Sequence, residues 1–420
     1  MAKTYKRLKQ FLFGRPLPSE RLEHERLNKK TALAVLSSDA ISSVAYATDQ
    51  ILIVLAVLGT AAAVQYAVPI SGVIVGLLVL VGLSYRQTIF AYPNGGGSYT
   101  VAKENLGTEA GLVAAAALLT DYIMTVAVSI AGGIAAITSA YHGLIPHTVL
   151  LSVLSIAILA IVNLRGVRES GLAFSVPTYV FVLMMVALIA YGGYRAFLGS
   201  VPAGGSGVVK VDPVSLQQHG LASVPAGFAL AYLLIRGFAE GCAAMTGTEA
   251  ISNGVMAFKQ PAQKNAAATL GTMVAILAAF FLGTSLLARH YGVMPTTTDT
   301  VLSQLADHIF GRGALYYVFQ YSTFAILVLA ANTAFADFPR QARPDERAHF
   351  VAKNTLLGRQ GQVHGRRSYG STNEYAILWL FEVIRPGRTG GWDAGHVRAG
   401  AHAPRLRGGV RPHPRAADEW

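Results

Sequence analysis

The chain has 420 residues, of which 53% are hydrophobic and only 13% charged, and its mean hydropathy is positive. Soluble chains of this length carry roughly 25% charge, so the composition excludes an ordinary soluble domain and points to an all-α polytopic membrane protein. The formal net charge of +12 gathers at the two ends and in certain loops, which excludes nucleic acid as the main partner and leaves the lipid bilayer in that place. One cysteine, Cys242, rules out an internal disulfide framework and reads as a small packing residue. No cleavable signal peptide is evident, because residues 1–30 are polar and basic and the first apolar run is too long for a signal core.

Residues 1–30 form a basic arm with Lys3, Lys6, Arg7, Lys9, Arg15, Arg21, Arg26, Lys29 and Lys30. The positive-inside rule places this arm in the cytoplasm and the chain in the bacterial plasma membrane as a multi-pass protein. Residues 31–339 make the transmembrane domain, with eight spans expected at about 32–58, 66–85, 108–139, 148–163, 171–192, 224–251, 264–288 and 313–338. With the arm inside, cytoplasmic loops receive Arg86, Lys103, Arg165, Arg168, Lys259 and Lys264. External loops receive Arg195, Lys210, Arg289 and Arg312, which are fewer and more widely spread.

The first span is interrupted by polar residues, Ser37-Ser38-Asp39-Ala40-Ile41-Ser42-Ser43-Val44-Ala45-Tyr46-Ala47. A carboxylate inside a span costs several kcal/mol unless it is paired or solvated, so Asp39 reads as a cation or proton site, with a structural cap as the alternative. Tyr46 follows two helical turns later, on the face of Asp39 if the segment is regular helix.

Between the second and third spans, Tyr92-Pro93-Asn94-Gly95-Gly96-Gly97-Ser98-Tyr99 lacks the spacing and strand of a phosphate loop. It reads as a backbone turn, with Tyr99 and Ala102 opening an inner-face helix. Asp121 lies in the middle of the third span with Tyr122 beside it and Thr125 one turn on, and a mid-span carboxylate is a functional site by default. The Gly-, Ser- and Pro-rich stretch 193–221 reads as an external connector. In the sixth span Arg236 and Glu240 are spaced to pair with each other. That leaves Thr246 and Glu249, three residues apart on one helical face, within Thr246-Gly247-Thr248-Glu249-Ala250-Ile251-Ser252-Asn253-Gly254. Glu249-Ala250-Ile251-Ser252 echoes Asp39-Ala40-Ile41-Ser42, as expected of two related halves with discontinuous first and sixth spans. Residues 299–310 space their apolar side chains as a helix, either over an external vestibule or on the surface.

Beyond Pro339 the composition turns to Arg, His, Gly and Pro, and its only apolar run, 375–384, is too short to span. Residues 340–420 are expected to be a disordered extension or translated out of frame, the latter favoured by the abruptness of the change.

Asp39, Asp121 and Glu249 place three carboxyl groups around one proposed site, which favours a small cation over an anionic or zwitterionic ligand. Oxygen ligands from Asp, Tyr and Thr suit an alkali cation such as potassium, held by Asp39, Asp121 and Thr246. Neither a nucleophile–base constellation nor a cofactor loop is recognisable, so no enzyme and no resident cofactor is expected.

The stretch from Tyr92-Pro93 to Tyr99 and Ala102 resembles the inner-loop signature of amino acid–polyamine–organocation (APC) permeases. Ser38 to Ala47, together with Thr246-Gly247 and Glu249 to Gly254, resembles the potassium importers of the Kup/KimA kind within that superfamily. The resemblance covers residues 5–339. It implies a LeuT-like five-plus-five inverted-repeat fold and alternating access with proton-coupled potassium uptake. By the same resemblance Asp39, Tyr46, Asp121, Tyr122 and Thr246 match potassium ligands or lining residues, and Glu249 an acidic position beside them. The family has about twelve spans and a cytosolic domain that contributes to a homodimer. The expectation here is a chain truncated after the eighth span, with the second repeat incomplete. An amino acid permease and a non-transporting fragment stay open as alternatives.

Overall fold

The computed structural model describes residues 26–93, 95–164, 171–198 and 228–342. Most of the basic arm, Arg165, Arg168, Lys210, the connector from 199 onward and the tail beyond 342 lie outside the described residues. The described elements are helical apart from one isolated parallel bridge, Leu27 to Phe258.

Among the described residues, six helices are long and apolar enough to cross a membrane: Thr60–Ala91, Thr108–Ala140, His142–Asn163, Phe174–Phe197, Ala262–Tyr291 and Ala314–Phe335. They correspond to six of the eight expected spans. The first and sixth do not form single helices of that length, because their polar residues divide them. Helices of 32 and 33 residues reach about 48–50 Å at 1.5 Å per residue, longer than a hydrocarbon core of about 30 Å.

The first segment consists of α1 (Lys29–Leu36), α2 (Ser38–Ser42) and α3 (Val44–Leu55), broken at Ser37 and Ser43. Local serine chemistry accounts for the breaks, since hydroxyls compete with the backbone for carbonyls. Ser42 Oγ donates to Asp39 O at 2.8 Å, Ser43 Oγ to Ala40 O at 2.6 Å, and Ser38 Oγ to Val35 O at 3.4 Å. The helices α4 (Thr60–Ala91), α5 (Ser98–Leu106), α6 (Thr108–Ala140), α7 (Thr148–Leu164) and α8 (Gly171–Phe197) follow. The sixth segment is α9 (Ala229–Gly241), a 3-10 turn over Cys242–Met245, an open bend, and the single turn α10 (Ala250–Asn253). After it come α11 (Ala262–Tyr291), α12 (Val301–Phe310) and α13 (Ala314–Ala342).

The divided first segment lies at the centre. From Ala40 to Leu55 its apolar residues are almost all buried, in one cluster with side chains of α4, α8, α9, α11, α12 and α13. The intact helices expose large apolar side chains outward, such as Val73, Leu80, Val149 and Leu183. Such an arrangement suits lipid, where helices associate through close packing and interhelical polar contacts rather than by hiding apolar surface from water. Contacts of that kind join Ser71 to Ser285 at 2.8 Å and Asn163 to Asn332 at 2.7 Å.

The expected inner-face helix is α5, with Tyr99 buried. The expected helix within 299–310 is α12. Its Thr300 cap accepts from Ser303 N, and Val301, Leu302, Leu305 and Ile309 are buried beneath it. Beyond its C-terminal end Arg312 donates to Asp307 at 3.1 Å, and this bond with the Asp307 charge raises the guanidinium pKa further.

Candidate functional site

The two interrupted segments meet at their breaks. Ser43 Oγ, besides its bond to Ala40, approaches Ala244 O at 3.0 Å, tying the second break of the first segment to the 3-10 turn of the sixth. Thr246 is extended (φ −59, ψ 146) and Gly247 is left-handed (φ +73), so the chain turns away from the helix axis between Met245 and Glu249. A Cβ on Gly247 would stand 2.6 Å from Asp39 Oδ2 and 3.0 Å from Ala40 N. The Asp39 carboxyl group, whose residue is 5% exposed, therefore lies directly against the Gly247 bend.

Tyr46 closes the other side of this junction. Its hydroxyl is 3.5 Å from Thr246 Oγ1, the outer limit of a hydrogen bond. Thr246 spends its hydroxyl proton on Ala243 O at 3.0 Å, so Tyr46 is the donor of the pair and keeps its oxygen lone pairs for another partner. A Cβ on Gly132 of α6 would lie 3.7 Å from the Tyr46 ring, which brings α6 alongside. Asp39 and Asp121 are both within electrostatic reach of the Tyr46 phenol. Asp121 and Glu249 are both within reach of the phenol of Tyr85 on α4, whose hydroxyl is 3.3 Å from Ser98 Oγ. Asp39, Tyr46 and Thr246 thus meet at the two breaks, with the Asp121 charge felt at both Tyr46 and Tyr85 and that of Glu249 at Tyr85.

One sequence expectation changes. Thr246 and Glu249 do not share a helical face: the left-handed Gly247 between them breaks the helix, so Thr246 meets Tyr46 while Glu249 comes within reach of Tyr85. Tyr122 adjoins Asp121 in sequence, but its ring is buried in a separate cluster with Val126, Ile130, Leu159, Ala331 and Phe335. Thr125 is buried one turn beyond Asp121, and Ser129 lies one turn further, completely buried. Ser129 Oγ has no hydrogen-bond partner among the described residues. Ser129 escapes sequence reasoning because a serine hydroxyl in an apolar helix usually satisfies itself on the preceding turn. Arg236 donates to Tyr232 at 3.2 Å.

The glycine turn 95–97 has a specific seat. Ser252 Oγ donates to Gly96 O at 2.9 Å, and Gly96 N donates to Ser252 O at 3.3 Å. Gly95 is left-handed (φ +88) and a Cβ there would stand 2.6 Å from the Asn253 backbone oxygen, so glycine is required for this approach.

Interrupted helices that carry carboxyl and hydroxyl groups, enclosed by intact apolar helices, define a polytopic helical membrane protein with a polar interior. The chain belongs to the amino acid permease family, which matches residues 27–377. It is 46% identical over 381 residues to the potassium transporter KimA of Bacillus subtilis (strain 168), a match covering 90% of this chain and 59% of that protein. The chain therefore spans about 59% of the length of that relative. Both matches run past Pro339, the expected end of the resemblance: the family match reaches residue 377, and 381 aligned residues do not fit within residues 5–339.

Proposed function

We propose that the chain carries the ion site of a secondary transporter that takes up potassium with protons by alternating access, on a LeuT-like inverted-repeat framework. The observation that carries this reading is the convergence of Asp39, Tyr46 and Thr246 at the two helix breaks, with the Asp121 charge within electrostatic range of Tyr46. Broken spans present backbone carbonyls and half-helix ends near mid-membrane, where side-chain oxygens complete the shell of a small cation. The name of the B. subtilis relative agrees with that chemistry. The family's description favours an amino acid as the alternative substrate. The three acidic residues weigh against it, since an α-carboxylate is held best by half-helix N-termini away from negative charge. Potassium here is cargo, coupled to a proton, and the arm-inside orientation in the plasma membrane and a homodimer belong to the same proposal.

Equilibrium binding of radioactive rubidium, as a potassium surrogate, to the purified chain tests the site without requiring turnover. Asp39→Asn is expected to weaken binding at least 10-fold, because a charged ligand contributes about 1.5–3 kcal/mol and about 1.4 kcal/mol is a factor of ten. Equal affinity in wild type and variant removes Asp39 from the site. Displacement of rubidium by amino acids but not by potassium would instead support the permease alternative.

A further inference from the structure

Away from the Asp39 junction, a cavity of about 400 Å³ opens between α4 and α11. Its walls are apolar, with Val79, Leu83 and Phe90 on α4 facing Ala267, Gly271 and Val274 on α11. Two cations, Arg86 and Lys264, also line it, from the last turns of α4 and the first turn of α11. Both are exposed, and neither has an acidic partner among the described residues. The helices approach closely at Gly82, where a Cβ would come within 2.9 Å of Val274, and part beside Gly271, where a Cβ would meet nothing within 4 Å.

An apolar slot between two membrane-spanning helices, ending on two uncompensated cations, matches a molecule with a hydrocarbon chain and an anionic head. Water leaves such a slot readily, and an acyl chain gains dispersion contacts along it. The cations need a negative counter-charge that the described protein does not supply. Basic pockets between spanning helices select anionic lipids for this reason. We infer that the groove between α4 and α11 binds an anionic phospholipid, its phosphate on Arg86 and Lys264 and one acyl chain against Gly271. The inference rests on the membrane-spanning reading of α4 and α11 but not on the identity of the transported ion, since no residue of the Asp39 junction lines the groove. Failure of rubidium binding and failure of lipid selection are therefore separate results.

Native mass spectrometry of the full 420-residue chain, released from nanodiscs of equal phosphatidylglycerol and phosphatidylcholine, reads the selection directly. Wild type is expected to retain phosphatidylglycerol with an enrichment of roughly 25-fold, about five-fold for each cation near an anionic surface. The double variant Arg86→Gln/Lys264→Gln is expected to fall near parity, with thermal unfolding in phosphatidylcholine unchanged because both side chains are exposed. Gly271→Leu keeps the charges and fills open space, so it should fold and retain less lipid of either kind. Parity in wild type, enrichment that survives the double variant, or full retention in Gly271→Leu would each overturn the proposal.

Discussion

Gly247→Ala is expected to destabilise the purified protein and to abolish any stabilisation by potassium. Two costs coincide at this position. An L-residue in the left-handed conformation loses about 1–2 kcal/mol, and φ at Gly247 is +73. The added methyl also falls 2.6 Å from Asp39 Oδ2, and overpacking of this kind costs about 1–3 kcal/mol where neighbours must shift. The neighbour that must shift is the proposed cation ligand, so stability and binding should fail together. Thermal unfolding with and without potassium chloride measures both. Gly271→Ala is the control, because its Cβ meets nothing within 4 Å and a helical Gly→Ala change gains about 0.5–1 kcal/mol. A Gly247→Ala protein with wild-type stability and potassium response would show that the bend does not hold Asp39.

Much of this arrangement is legible in the sequence because membranes make polar residues expensive. Six of the long helices follow from apolar windows, and Asp39, Asp121 and Glu249 are conspicuous because each is a carboxyl group within an apolar run. Conformation at single residues is less legible. The argument placing Thr246 with Glu249 assumes regular helix, and one left-handed glycine voids it. Tyr85 gains its place only when α4 packs beside the sixth segment. Asp49 is the largest omission. It is as visible as Asp39 within the same apolar run, but its partner is a backbone N–H 252 residues away, for which no side-chain pattern exists.

Asp49 supports the second large prediction. It is 8% exposed, on α3, and both its carboxyl oxygens accept from Val301 N at 3.2 Å, at the first residue of α12. A helix N-terminus carries unpaired N–H groups and partial positive charge, so an acidic side chain there is a favourable partner. Ser139 holds the same end by accepting from Thr300 N at 3.3 Å, while its proton is shared between Ala135 O at 2.8 Å and Thr298 O at 3.2 Å. Arg195 holds the other end through Ile309 O at 2.9 Å. Among the described residues Asp49 supplies a hydrogen bond that joins α12 to the interrupted segment, in addition to their apolar packing, and it lies one turn beyond Tyr46 on the unbroken helix α3. We predict that a tilt of α3 at the proposed ion site is passed to the N-terminus of α12 through this bond. Asp49→Leu leaves Val301 N buried without its acceptor, a loss of about 1–3 kcal/mol. Amide hydrogen exchange across 299–310 is then expected to accelerate roughly 5- to 150-fold, a factor of ten for each 1.4 kcal/mol. Asp49→Asn, which keeps one acceptor oxygen, should fall between wild type and Asp49→Leu. Potassium should slow exchange in this segment of the wild type and leave Asp49→Leu unaffected, because the variant has lost the mechanical link from α3 to α12. Unaltered exchange in Asp49→Leu would mean that Ser139 and Arg195 hold α12 by themselves, and the coupling through Asp49 would be discarded.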